Sequence, residues 1–145
     1  MPTRQQIVAE ARTWLDTRYL HQGRRKGVGV DCIGLAGMVA LATGVAGAQE
    51  WYADQTMHCY GITPDPDFLW AACNRFLDPI APADATLADL LVMAFPRQPQ
   101  HFAVVSRVQP TYVIHAYLQR RKVVENSLPI ARSKVIAAYK FRGVV

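Results

Sequence analysis

Cysteine is scarce in this chain: Cys32, Cys59 and Cys73 are the only three in 145 residues. An odd count with no CxxC pair excludes a disulfide framework and a cysteine-rich zinc site, and leaves at least one thiol free. That usage fits synthesis in a reducing cytoplasm. Long apolar runs are also missing. No stretch approaches the roughly 18 residues of a membrane span, so insertion into a membrane is not expected. The first residues, Met1-Pro2-Thr3-Arg4-Gln5-Gln6, lack the apolar core of a signal peptide. The expectation is cytoplasmic synthesis, with any outside action reached by lysis, a dedicated apparatus or a particle. Acidic residues are few, 11 against 16 Lys and Arg, which leaves a net charge of +5. Two basic clusters carry part of it, Arg24-Arg25-Lys26 and Arg120-Arg121-Lys122. Aromatic residues do not interleave with them as in a nucleic-acid module, so no nucleic-acid partner is expected. The charge serves solubility or attraction to another polyanion.

What is present suits one domain spanning residues 1–145 with an ordinary core: 51% of residues are hydrophobic and 19% charged. Thr3 and Gln6 form a capping box ahead of Ile7, Val8, Ala11, Trp14 and Leu15 at helical spacing. A glycine-bearing loop follows over residues 16–30. Asp31 is a good N-cap and Gly44 a good stop for a second helix. Residues 44–63 are expected to be irregular. A third helix starts at Pro64-Asp65-Pro66-Asp67 and carries Phe68, Leu69, Ala72, Phe76 and Leu77, with a linker over 78–84. The period then changes to short runs rich in Val, Ile, Tyr and Phe, over 90–95, 102–108, 112–118, 122–127 and 135–141, which read as strands. Helices first and strands afterwards is the α+β pattern, with N-terminal helices packed on an antiparallel sheet.

Cys32 falls in the first turn of the second helix, where free amides and the helix dipole favour an anion and lower a thiol pKa. His101 and His115 lie on successive expected strands. If His115 pairs across from Ala103, the two rings are diagonal neighbours on one face; a one-residue slip separates them. A thiol needs a base, and an imidazole needs a third group to set its tautomer. Cys32, His101 and His115 can supply all three, in the chain order of papain-like hydrolases. A metal site built from His58-Cys59 with these histidines has no ligand spacing behind it, and no metal or cofactor is expected. Cys59 and Cys73 read as small buried hydrophobes. Ser106 and Ser127 lack a nucleophile-elbow context.

At these residues the sequence resembles the NlpC/p60-type papain-like cysteine peptidases of bacterial cell walls, and within them the phage and prophage branch. The resemblance is carried by Tyr19-Leu20-His21-Gln22-Gly23, Val30-Asp31-Cys32-Ile33-Gly34-Leu35, Leu87-Ala88-Asp89-Leu90-Leu91-Val92, His101-Phe102-Ala103-Val104-Val105 and Val113-Ile114-His115-Ala116-Tyr117. It implies Cys32 as nucleophile, His101 as base and His115 as the orienting residue. It also implies substrate contacts by Tyr19, Asp31, Ile33 and Gly34, with Asp31 chiefly a cap and the Cys32 amide an oxyanion donor. Cleavage of amide bonds in peptidoglycan stem peptides, next to D-glutamyl residues and without a cofactor, is the implied activity. The implied setting is synthesis in the bacterial cytoplasm and incorporation into a phage tail beside other tail proteins. A tail structural component of the same fold with little activity, or a thiol amidase on a non-wall substrate, are the alternatives. Asp16, Arg18, Ala88 and Ile33 depart from the family pattern, which often has Gly, Pro, Gly and Ser there.

Overall fold

The first helix is set by its cap. In the computed structural model, which describes residues 1–62 and 64–145, Thr3 Oγ1 accepts from the Gln6 amide at 3.1 Å and Gln6 Oε1 accepts from the Thr3 amide at 2.8 Å. Helix α1 (Arg4–Arg12) turns Ile7, Val8 and Ala11 inward. Helix α2 (Cys32–Thr43) starts at Asp31 and ends at Gly44, whose φ of 78° lies in the left-handed region that glycine takes without a Cβ penalty. Leu35 and Val39 of α2 are 1% and 0% exposed, so each contributes on the order of 1.5–3 kcal/mol of apolar burial.

Between α1 and α2, residues 16–30 are not a plain loop. Strands β1 (Arg24–Arg25) and β2 (Gly29–Val30) form a small antiparallel hairpin. The stretch expected to be irregular contains helix α3 (Ala48–Ala53) and a 3-10 turn over Gln55–His58. Thr63, its last residue, lies outside the described residues. Helix α3 is short and starts from Gly47 at φ 87° with no side-chain cap; Trp51, packed against Gly37, anchors it to α2. Helix α4 (Pro66–Phe76) follows, and Leu77 belongs to strand β3 (Leu77–Ile80) rather than to the helix. The linker reading of 78–84 thus needs correction. Residues 77–80 pair with the last strand, and Pro79 is tolerated because β3 is a sheet edge.

The remaining strands are β4 (Leu90–Phe95), β5 (Gln98–Arg107), β6 (Tyr112–Tyr117), β7 (Lys122–Ser127) and β8 (Lys134–Phe141). They form one antiparallel sheet of six strands in the order β3-β8-β4-β5-β6-β7. The larger core lies between the helices and the sheet face bearing Val92, Phe102, Val104, Ile114 and Ala116. A smaller core on the other face gathers Leu91, Met93, Phe95, Ala103, Val105 and Val113. Asp16 (φ 69°) and Ala88 (φ 70°) hold left-handed backbone at the two positions where the resembled family often has glycine. The backbone geometry is kept although the residue that takes it most easily is not. Among the described residues no helix is long and apolar enough to cross a membrane.

Candidate active site

The register of β5 on β6 decides whether the histidines meet. Val104 pairs with Ile114 and Val105 with Val113, which continued by one residue sets Ala103 opposite His115. His101 is then diagonal to His115 on the same face. Both are fully buried, and His101 Nε2 lies 2.7 Å from His115 Nδ1. The ring of His115 stacks on Tyr117 with centroids 4.7 Å apart, and Phe95 presents an edge to His101 at 5.4 Å.

A fourth member was not foreseen in the sequence. Asn126 on β7 pairs opposite Val113, diagonal to His115 on its other side, and its Oδ1 is 2.8 Å from His115 Nε2. The amide oxygen only accepts, so His115 carries its proton on Nε2 and presents Nδ1 as an acceptor. His101 therefore donates from Nε2 and leaves Nδ1 bare. That nitrogen is buried and makes no hydrogen bond among the described residues. A bare ring nitrogen is what a general base requires. The signal in the sequence was a polar residue at an inward strand position, but its meaning depends on a pairing register that is not local.

Burial decides the charge states. His101 is held well below the ordinary histidine pKa, first by burial and then by His115 beside it. His115 is lowered to about 4 by burial, which the Asn126 hydrogen bond only partly opposes. Both are neutral near pH 7.

Cys32 is 6% exposed at the first position of α2. The amides of Phe102, Ile33 and Cys32 itself act on its sulfur and favour the thiolate. Burial and the Asp31 carboxylate outweigh them and push the thiol up to about 12. The helix N-terminus alone had suggested a lowered pKa; desolvation wins because the thiol is out of water. The Phe102 amide belongs to the peptide unit that links Phe102 to His101, so the sulfur meets the backbone next to His101. No hydrogen bond joins Cys32 to His101 in this conformation among the described residues.

Tyr19 lies half-buried beside Cys32 and Asp31, both of which raise its hydroxyl pKa further after burial has done so. Its backbone is pinned by Tyr19 N–H donating to the Arg121 carbonyl at 2.8 Å. Asp31, expected among the substrate contacts, is 2% exposed and fully engaged. Oδ1 accepts from the Gly34 amide at 2.7 Å, and Oδ2 from the Gln22 amide at 2.8 Å and the Tyr60 hydroxyl at 2.5 Å. Both carboxylate oxygens are thus taken up by the loop before α2, the first turn of α2 and Tyr60. Gly34 is likewise buried; a Cβ there would meet the Gly23 carbonyl oxygen, so it serves the close approach of the preceding loop to α2. Ile33 is half-exposed and lines a small apolar cavity of about 80 Å³ with Trp51, Met57, Tyr60 and Phe102. Cys73 is buried, with its thiol raised to about 12 by burial, whereas Cys59 is exposed, against the expectation for it. His58 bonds to the Tyr52 carbonyl at 2.6 Å. Among the described residues no group of three or more His, Cys, Asp or Glu is placed to hold a metal.

Comparison with known proteins gives no matching family model and no matching curated protein. Solved structures do match. The NlpC/p60 domain of the peptidoglycan hydrolase SagA superposes with a TM-score of 0.59 at 22% identity, over 95% of this chain and 98% of that one. NlpC2 from Trichomonas vaginalis gives 0.67 at 12% identity, and an NlpC/P60 family protein from Bacillus cereus 0.66 at 16%. Those two matches cover 95% and 97% of this chain but only 46% and 40% of the longer proteins. At such identities the likeness speaks to architecture, and it agrees with the helices-on-antiparallel-sheet arrangement described above. The chain thus has the papain-like α+β fold of NlpC/p60 domains.

Proposed function

We propose that this protein is a cysteine peptidase that hydrolyses amide bonds in peptidoglycan stem peptides, next to D-glutamyl residues, as a cell-wall hydrolase carried in a phage or prophage tail. The observation that carries the reading is the chain of contacts from His101 through His115 to Asn126, which leaves His101 Nδ1 bare while the next amide in the chain, that of Phe102, acts on the Cys32 sulfur. The fold shared with the domain of the peptidoglycan hydrolase SagA supports the substrate class.

The steps follow from the resting charge states. Cys32 starts as a neutral thiol and His101 as a neutral imidazole. As the sulfur attacks the amide carbonyl, the thiol proton passes to His101 Nδ1. The oxyanion is met by amides at the start of α2, where N–H groups lack helical partners. His115, itself oriented by Asn126, accepts from His101 Nε2 and stabilises the imidazolium. His101 then protonates the leaving amine, and a thioester remains on Cys32. A water deprotonated by His101 attacks that thioester, releasing the carboxylate and restoring the thiol. Proton loss is coupled to attack, because a free thiolate is disfavoured in the buried site.

Incubation of purified peptidoglycan and muropeptides with the wild type and with Cys32→Ala, read by mass spectrometry, tests this. New fragments from the wild type alone, with masses that place the cut beside D-glutamate, are expected. No fragments from either protein would refute it. A second reading, a tail structural component with little activity, draws on the raised thiol and the absent Cys32–His101 bond. Particles bearing Cys32→Ala separate the two: normal tails with impaired infection fit the enzyme, and normal infection fits the structural component.

A further inference from the structure

The segment between α2 and the sheet brings a residue to the nucleophile that the sequence did not single out. Tyr60 is 8% exposed. Its hydroxyl donates to Asp31 Oδ2 at 2.5 Å and accepts from Arg24 Nη2 at 3.2 Å. Its carbonyl accepts from Gln22 Nε2 at 2.6 Å, and His21 Nε2 lies 3.0 Å from the same oxygen. Arg24 is held in turn by the Met57 carbonyl and by the face of Trp51, 4.4 Å from the ring centroid. Nε and Nη1 of Arg24 are buried without a partner, so Nη2 carries the hydrogen bonds of this guanidinium.

Asp31 immediately precedes Cys32. The charged and titratable groups around it are Tyr19 and Cys32, His21 with Nδ1 at 3.9 Å, Tyr60, and beyond Tyr60 the Arg24 guanidinium. A buried carboxylate beside a sulfur that must become negative opposes the reaction by plain Coulomb repulsion. Drawing that charge toward a cation on the far side weakens the repulsion, and the Asp31–Tyr60–Arg24 chain has the geometry to do so.

We propose that Tyr60 and Arg24 are positioning residues for Cys32. Acting through Asp31, they fix the first turn of α2 and draw the Asp31 charge away from the sulfur. Residues 54–60 thereby become a working part of the active site. The inference rests on Cys32 being the nucleophile, and not on the identity of the substrate.

The test is the pH profile of Cys32 alkylation by iodoacetamide in the intact protein, followed by mass on the Cys32 peptide so that Cys59 does not contribute. Tyr60→Phe removes only the hydroxyl. It is expected to slow Cys32 alkylation about tenfold at a given pH, a one-unit rise in the thiol pKa being a tenfold loss of thiolate. Arg24→Gln moves the profile the same way by less. Asp31→Asn, which keeps a good N-cap, moves it the other way. In the Asp31→Asn background, Tyr60→Phe is expected to have no further effect, because the charge it acts on is gone. An equal shift in both backgrounds, or none in either, overturns the proposal. Should Tyr60→Phe fail to fold, Arg24→Gln with Asp31→Asn completes the same cycle. Because the readout is a thiol titration, this pattern can stand even if muropeptides are not cut.

Discussion

Acidification from about pH 7 to about pH 4 crosses the range in which a histidine of the unfolded chain takes up its proton, above the ordinary carboxylate range. In the native state His115 has its pKa lowered from 6.5 to about 4 by burial. That lowering corresponds to about 3 kcal/mol. Between those values the unfolded chain binds a proton that the native state refuses. Stability therefore rises with pH in that window: the contribution is complete above about pH 6.5 and is lost as the pH falls toward 4. His101, also lowered, acts in the same direction, and a proton on either ring disfavours one on the other. Glu125 and Asp54, whose pKa values are lowered, contribute above the ordinary carboxylate range and lose that contribution only at lower pH, so the two effects separate. A loss of about 3 kcal/mol is a large part of a domain's stability and corresponds to roughly 10 °C in melting temperature at this size. Thermal denaturation followed by near-UV circular dichroism at intervals from about pH 7 to 4.5 measures it. A His101→Gln, His115→Gln double variant is expected to be nearly flat across this window. A wild type whose melting temperature does not fall there, or a double variant with the same slope, refutes the burial argument.

Removing the far end of the histidine chain tests the tautomer assignment. Asn126→Ala is expected to lower kcat by about tenfold to a hundredfold with KM little changed, since His101 would lose its fixed orientation. Asn126→Asp, which places a negative charge beside His115, is expected to shift the acid limb of the kcat/KM profile upward instead. Gly34→Ala would drive a methyl group into the Gly23 carbonyl oxygen and within 3.0 Å of Asp31 Oδ1. A destabilisation of about 1–3 kcal/mol by urea denaturation is expected, the range for overpacking at a site that cannot relax.

Much of this architecture was legible because it is written locally. The capping box at Thr3 and Gln6, the N-cap at Asp31 and the stop at Gly44 are each decided within a few residues. The elements that were missed depend on distant partners. Strand β3 contains Asp78 and Pro79, which read as a linker until β8, some 60 positions on, pairs with it. Strand β5 begins at Gln98, earlier than its apolar residues suggest, because Phe95 pairs with Gln98 across a tight turn. Helix α3 rests on Trp51 packing at Gly37, not on a cap. The same division holds in the site. Cys32, His101 and His115 could be picked out by residue type and local position, with their meeting conditional on one register. Asn126 and Tyr60 are ordinary polar residues until tertiary contacts give them partners. The thiol pKa was misjudged because burial is a property of the whole fold, whereas the helix terminus is visible in a short window.

The hydrogen bonds that pin Tyr19 have a further effect at the rim of the sheet. Asp16 N–H donates to the Val123 carbonyl, Val123 N–H to the Thr17 carbonyl, and Tyr19 N–H to the Arg121 carbonyl. Strand β7 ends the sheet on that side, and an uncovered edge strand is a template for another chain. Residues 16–19 occupy part of that edge, so the segment that brings Tyr19 beside Cys32 also guards against self-association. Substitutions that loosen it would cost solubility as well as the proposed activity, and would bring a tendency to aggregate that changes at Cys32 or His101 would not share.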